Sequence, residues 1–170
     1  MRQLVSLLAL GSIGCSSLST VQGGYQQPYD EDVAPGHRGT TINVHMGQGT
    51  PDVPVGLDMS LRMKFGADQG QWAIGGGLYA FTPPATVGAF GRAGINALQF
   101  EIWDRSFVFG MGSPWAEAGL YILPNGHHLG GFAVTVSAST GYDFRFGGTA
   151  PDTGWWSAMI GFGFLTYVPR

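Results

Sequence analysis

The sequence predicts an all-β fold, an antiparallel up-and-down β-barrel of about eight strands. Three observations predict it. Long segments alternate apolar and polar residues with a period of two. Gly, Pro, Asn and Asp clusters punctuate those segments. No window of comparable length carries a 3.6-residue apolar stripe. At 170 residues the chain is long enough for one domain with a sizeable core and too short for two ordinary ones.

Composition narrows the class. Charged residues are 11% of the chain and aromatics 13%, against about 25% charged in a typical soluble domain. A chain this aromatic and this poor in charge is not disordered as a whole. Eight Lys and Arg against eleven Asp and Glu leave no basic footprint for nucleic acid. A single Cys excludes an intrachain disulfide and a Cys-built zinc site, and no cofactor is implied.

The N-terminus reads as an address. Arg2 supplies a positive charge ahead of the apolar run Leu4–Ile13, too short to span a bilayer, so 1–14 is expected to be a signal peptide. The run ends in Ser12-Ile13-Gly14-Cys15, which resembles the lipobox of bacterial lipoproteins. That resemblance implies a lipid on Cys15, the only Cys in the chain. Ser12 stands where the motif usually has Leu, and the alternative is an ordinary signal peptide cut near Ser17-Leu18-Ser19. Residues 15–39 are rich in Ser, Gln, Gly and Pro with no apolar period. They are expected to form a flexible tether, leaving 40–170 as the barrel domain.

Within that domain the strands follow in order. The segments 40–46, 71–81, 86–103, 106–112 and 115–123 are short or imperfect, and three are regular. Val53 to Phe65 places Val55, Leu57, Met59, Leu61 and Met63 on one face and Asp58, Ser60, Arg62 and Lys64 on the other. Phe132 to Phe146 sets Val134, Val136 and Ala138 against Thr135, Ser137, Ser139, Asp143 and Arg145. Residues 155–168 group Trp156, Ala158, Ile160, Phe162 and Phe164. Segment 86–103 changes face between Ile95 and Leu98. A bulge there keeps the count at eight, whereas a tight turn would make nine.

Alternation alone fits two architectures. In a soluble barrel or sandwich the apolar face points inward; in a membrane barrel it faces lipid and the polar face lines the lumen. The polar faces here are mostly Gly, Ser, Thr and Ala. They carry Arg62, Lys64, Arg92 and Arg145 against Asp58, Glu101, Glu117 and Asp143. Four charges of each sign suit a closed, self-paired interior, because an unpaired buried charge is expensive. Arg62 and Arg92 are expected to meet Glu101, Glu117 or Asp58. Trp72, Tyr79, Phe81, Trp103, Trp115, Tyr121, Trp155, Trp156 and Tyr167 lie near strand ends, where membrane barrels carry aromatic girdles. The same aromatics could instead cap the ends of a soluble core. Short loops throughout argue against a membrane barrel.

No constellation announces catalysis or metal binding. His127-His128 follows a turn and reads as loop polarity; His45 reads as a satisfied lumen or surface histidine. Gly75-Gly76-Gly77 lacks the Lys-Ser/Thr and the helix of a phosphate loop, and is expected to relieve crowding in the wall beneath Trp72 or Tyr79. The strand count, aromatic ends and aromatic-rich last strand of 40–170 resemble small eight-stranded bacterial outer-membrane barrels. Such proteins often end in Phe, whereas this chain ends Tyr167-Val168-Pro169-Arg170. The resemblance implies the outer membrane of a Gram-negative bacterium, membrane lipid as the surrounding partner, and a structural or surface-interaction role without catalysis. Eight strands enclose a lumen that side chains can fill, which disfavours a pore. The alternatives are a lipid-anchored soluble barrel or sandwich, periplasmic or on the cell surface, that binds a small apolar ligand, and a membrane-embedded lipid-modifying enzyme.

Overall fold

A computed structural model describes residues 16–30, 38–50, 53–66, 69–103, 106–124, 129–146 and 151–168. Its first strand is one that composition does not announce. β1 (Ser17–Pro28) pairs on one side with β2 (Gly39–Gly49) and on the other with β9 (Thr153–Thr166). The expected tether over 15–39 is therefore corrected across Ser17–Pro28: the barrel starts there, not at residue 40. β1 shows no apolar period because its inward positions Thr20, Gln22 and Gln26 are polar and buried. Hydrogen bonding on both edges satisfies its backbone groups without help from hydrophobicity. The signal peptide over 1–14, Cys15, the 31–37 part of the tether and His127-His128 lie outside the described residues.

The remaining strands are β3 (Val55–Phe65), β4 (Gln69–Phe81), β5 (Val87–Trp103), β6 (Ser106–Gly110), β7 (Ser113–Ile122) and β8 (Gly130–Asp143). They follow the order β4-β3-β2-β1-β9-β8-β7-β5, every pair is antiparallel, and β4 pairs with β5 to close the barrel. None of the described residues is helical.

β6 and β7 count as one stave. Gln99 faces Gly110 and Asn96 faces Ser113, so both strands run along β5 in a single register. The break between them falls at Met111-Gly112, where Gly112 has φ of 68°, a conformation that favours glycine. The total of eight thus stands with different members: β1 enters, and the segments expected at 106–112 and 115–123 merge. The face change in β5 is a bulge. Ile74 stands opposite Leu98 and Gly75 opposite Asn96, which leaves Ala97 as the extra residue. Followed across the sheet from Pro28, paired positions pass through Trp155, Trp115, Asp58 and Gly47 and return to β1 beside Leu18. That offset is the stagger that tilts strands in a closed barrel.

The wall is inverted relative to a water-soluble protein. Leu57 and Met59 are 68% and 67% exposed and Ile160 63%, while Lys64 and Asp143 are fully buried. Apolar side chains face out and charged ones face in, the polarity of a membrane barrel.

The aromatics divide in a way their position along the strands does not reveal. Trp72 and Trp156 face outward. Tyr79, Phe81, Trp115, Tyr121 and Trp155 point into the barrel, which corrects their expected place in an outer girdle. The outward belt at the loop end is built instead from Tyr25, Phe65, Trp72, Tyr142, Phe144 and Trp156. At the end that carries both termini, Leu18, Tyr79, Phe81, Phe90, Tyr121, Leu123, Ala133 and Leu165 form an apolar plug inside the wall. Glycines make room for its rings: a Cβ on Gly47 or Gly49 would sit 2.9 or 3.0 Å from the Tyr79 ring and hydroxyl, and one on Gly88 would collide with Tyr121. Tyr79 therefore lies over Gly47 and Gly49, not over Gly75–Gly77. At Gly75 and Gly77 a Cβ would run into β5 carbonyls beside the bulge, so close backbone approach explains those glycines.

Candidate functional site

The interior above the plug holds all eight of the charged residues read from the polar faces. Each is less than 10% exposed, because period-two alternation along β3, β5, β7 and β8 turns every second side chain inward. They fall into two groups.

The lower group is centred on Arg92. Its Nη1 lies 3.5 Å from Glu117 Oε2 and its Nε 3.9 Å from Asp58 Oδ1. Arg92 also donates to Thr20 Oγ1 at 2.8 Å and to the Leu18 carbonyl at 3.1 Å, so β1 supplies acceptors to the network. His45 bridges the two acids, with Nδ1 2.7 Å from Asp58 Oδ2 and Nε2 3.3 Å from Glu117 Oε2. Gln22 donates to Glu117 Oε1 at 2.9 Å.

The upper group lies toward the loops. Arg62 reaches Asp143 at 2.6 Å, a partner other than the Glu101, Glu117 or Asp58 expected for it. Asp143 also accepts from Gln71 at 2.9 Å and from the Trp155 indole at 3.1 Å. Arg145 binds Glu101 at 2.7 Å and lies 3.6 Å from Asp143, and Lys64 stands 3.6 Å from Glu101. The Arg62 guanidinium stacks on Trp155, 4.2 Å from the ring centre, a cation–π contact.

Three members of these groups carry no sequence signal for this role. Gln22 lies in the segment whose composition reads as a tether, Trp155 lies near a strand end where a girdle is expected, and Gln71 has no charge to mark it. His45 was visible as an inward polar residue on β2, and the structure shows it held between two carboxylates.

Between the groups lies an internal cavity of about 20 Å³, lined by Asn43, His45, Ser60, Leu61, Arg62, Asn96, Trp115, Glu117, Ser139 and Trp155. That is room for about one water. The lumen is thus plugged at one end by aromatics and filled above by ion pairs. Among the described residues, no group of three or more His, Cys, Asp or Glu could hold a metal ion.

No protein-family profile matches the sequence, and no curated protein matches it. Solved structures do match in fold. Neisserial surface protein A (NspA) superimposes with a TM-score of 0.60 at 10% identity, over 91% of this chain and 97% of that one. Ail, the attachment invasion locus protein of Yersinia pestis, was solved with the heparin analogue sucrose octasulfate. It superimposes with a TM-score of 0.51 at 16% identity, over 89% of this chain and 97% of that one. At these identities the likeness is one of architecture: a small, closed eight-stranded barrel.

Proposed function

We propose that the chain is an outer-membrane β-barrel of a Gram-negative bacterium, with a structural or surface-contact role, no open pore and no catalysis. The observation that carries this reading is the inverted wall around a filled lumen. An exposed Leu, Met, Ile and Phe surface on every side of the barrel is stable only against lipid. A charged, side-chain-filled interior neither conducts solutes nor accepts an apolar ligand. The soluble ligand-binding barrel would need the opposite polarity. Likeness in fold to NspA, named a surface protein, and to Ail, named for attachment and invasion, supports a role exercised at the cell surface.

Lipidation at Cys15 belongs to the same proposal. Ser16 is fully buried, and its carbonyl accepts from the Gly49 amide at 2.9 Å and the Tyr79 hydroxyl at 2.8 Å. A diacylglyceryl group on the preceding residue would therefore sit at the barrel rim with no leash. Cleavage within Ser17–Ser19 would remove residues paired with β9, which favours the cut between Gly14 and Cys15.

Fractionation of cells tests location and anchor together. The protein should remain with outer membranes through a high-salt, high-pH wash and run faster on a gel unboiled than boiled. Intact mass should begin at Cys15 with the lipid adduct. Release by the wash would overturn the membrane-embedded reading, and an unmodified N-terminus at any residue would overturn lipidation alone.

A further inference from the structure

We propose that the cavity between the two ionic groups binds one small monovalent anion of the halide class. The argument starts from hydrogen-bond donors. Four buried N–H-bearing atoms on residues lining the cavity have no protein acceptor: Arg62 Nε and Nη1, Asn96 Nδ2 and Trp115 Nε1. Their residues are 5%, 2% and 8% exposed, so bulk water does not serve them, and a buried donor left unmade is costly. They come from β3, β5 and β7, which lie within four consecutive staves of the wall, and their residues line one space. The Ser60 hydroxyl, also unpartnered, adds a fifth group able to donate.

Most acceptors around the same space are engaged elsewhere. Asn43 Oδ1 accepts from Thr41 at 3.3 Å, and the Ser139 and Ser157 hydroxyls bond each other at 2.7 Å. Glu117 is the carboxylate on the cavity: Arg92 lies 3.5 Å and His45 Nε2 3.3 Å from its Oε2, an oxygen that has no hydrogen-bond partner of its own. A water oxygen has two lone pairs and cannot satisfy four N–H donors at once, whereas a spherical anion accepts from all of them.

Charge is split across the cavity. The upper group sets Arg62, Lys64 and Arg145 against Glu101 and Asp143, one positive charge in excess. The lower sets Arg92 against Asp58 and Glu117, one negative in excess, so the anion belongs on the Arg62 side. Arg62 uses only Nη2 on Asp143, which leaves Nε and Nη1 without partners on a residue that lines the cavity. The available space suits a monatomic ion and excludes sulfate or phosphate.

The test uses the full chain refolded in detergent in sodium bromide, chloride or gluconate at equal ionic strength. With bromide or chloride the Tm should climb by about 3–5 °C for each tenfold rise in concentration above Kd, and with gluconate it should not. Asn96→Asp, which replaces a donor with a negative charge, and Trp115→Phe, which deletes one, should each abolish the halide response. Crystals grown from bromide should show an anomalous peak within hydrogen-bond reach of Arg62, Asn96 and Trp115. A folded wild-type barrel with the same Tm in all three salts would overturn the proposal, leaving water as the occupant. So would a halide response retained by both variants, which would place the ion elsewhere. If one variant fails to fold, the other and the anomalous map decide.

Discussion

Arg92 shows how much a single lumen residue carries. It contacts Glu117, Asp58, Thr20 and the Leu18 carbonyl from a position 3% exposed. Arg92→Ala would leave two carboxylates buried without their cation, a loss of about 3–5 kcal/mol. A surface ion pair would lose only about 0–1 kcal/mol. Denaturant titration of the protein in lipid vesicles should find the larger value. Combining Arg92→Met with Glu117→Gln should recover part of it, because both members of the pair then leave together. A loss below about 1 kcal/mol in the single variant would place Arg92 in water. At this scale the charged residues were legible, since eight charges on alternating faces stand out in a chain with so few. Their partners were not. Arg62 meets Asp143, 81 residues away, and only barrel closure brings β3 and β8 across from each other.

Each strand has one face for the lumen and one for the surroundings, and depth along the strand sets what the outer face tolerates. Met59 of β3 and Ile160 of β9 stand at mid-strand; Val55 and Trp156 stand near strand ends. In lipid vesicles, Lys at Met59 or Ile160 should cost about 2–4 kcal/mol, and at Val55 or Trp156 about 0–1 kcal/mol. A uniform cost at all four positions would contradict a lipid-facing wall. β3, β8 and β9 were readable because their alternation is unbroken. The change of face in β5 between Ile95 and Leu98 was readable, while only the pairing with β4 made it a bulge and not a turn. β1 was not readable. Its polar inward residues and Gly23-Gly24 leave no hydrophobic period, and what makes it a strand is pairing with β2 nearby and with β9 at the far end of the chain.

The whole molecule depends on that distant pairing. β1 joins the two ends of the sheet, so a chain beginning at residue 40 would expose the edges of β2 and β9 as unpaired strands. Such a chain should aggregate and show no heat-dependent gel shift in detergent, while the full chain folds. A stable barrel from residue 40 onward would mean β1 is dispensable and would restore the tether reading.

The sequence by itself determined an all-β chain, its period, most of its strand positions, the change of face in β5 and the charges that share one face. Those properties are local: a residue's side of a strand follows from counting in twos. Only the tertiary structure decided which face is inside, that β1 belongs to the wall, that β6 and β7 are one stave, and that Tyr79, Tyr121 and Trp155 fill the interior. Periodicity assigns two faces without saying which is wet, and an aromatic near a strand end sits on either face with equal ease. Closure breaks that symmetry, because the space inside eight staves is fixed. It accepts large rings only where glycines such as Gly47, Gly49 and Gly88 leave room, and buried charges persist there only where opposite charges reach them.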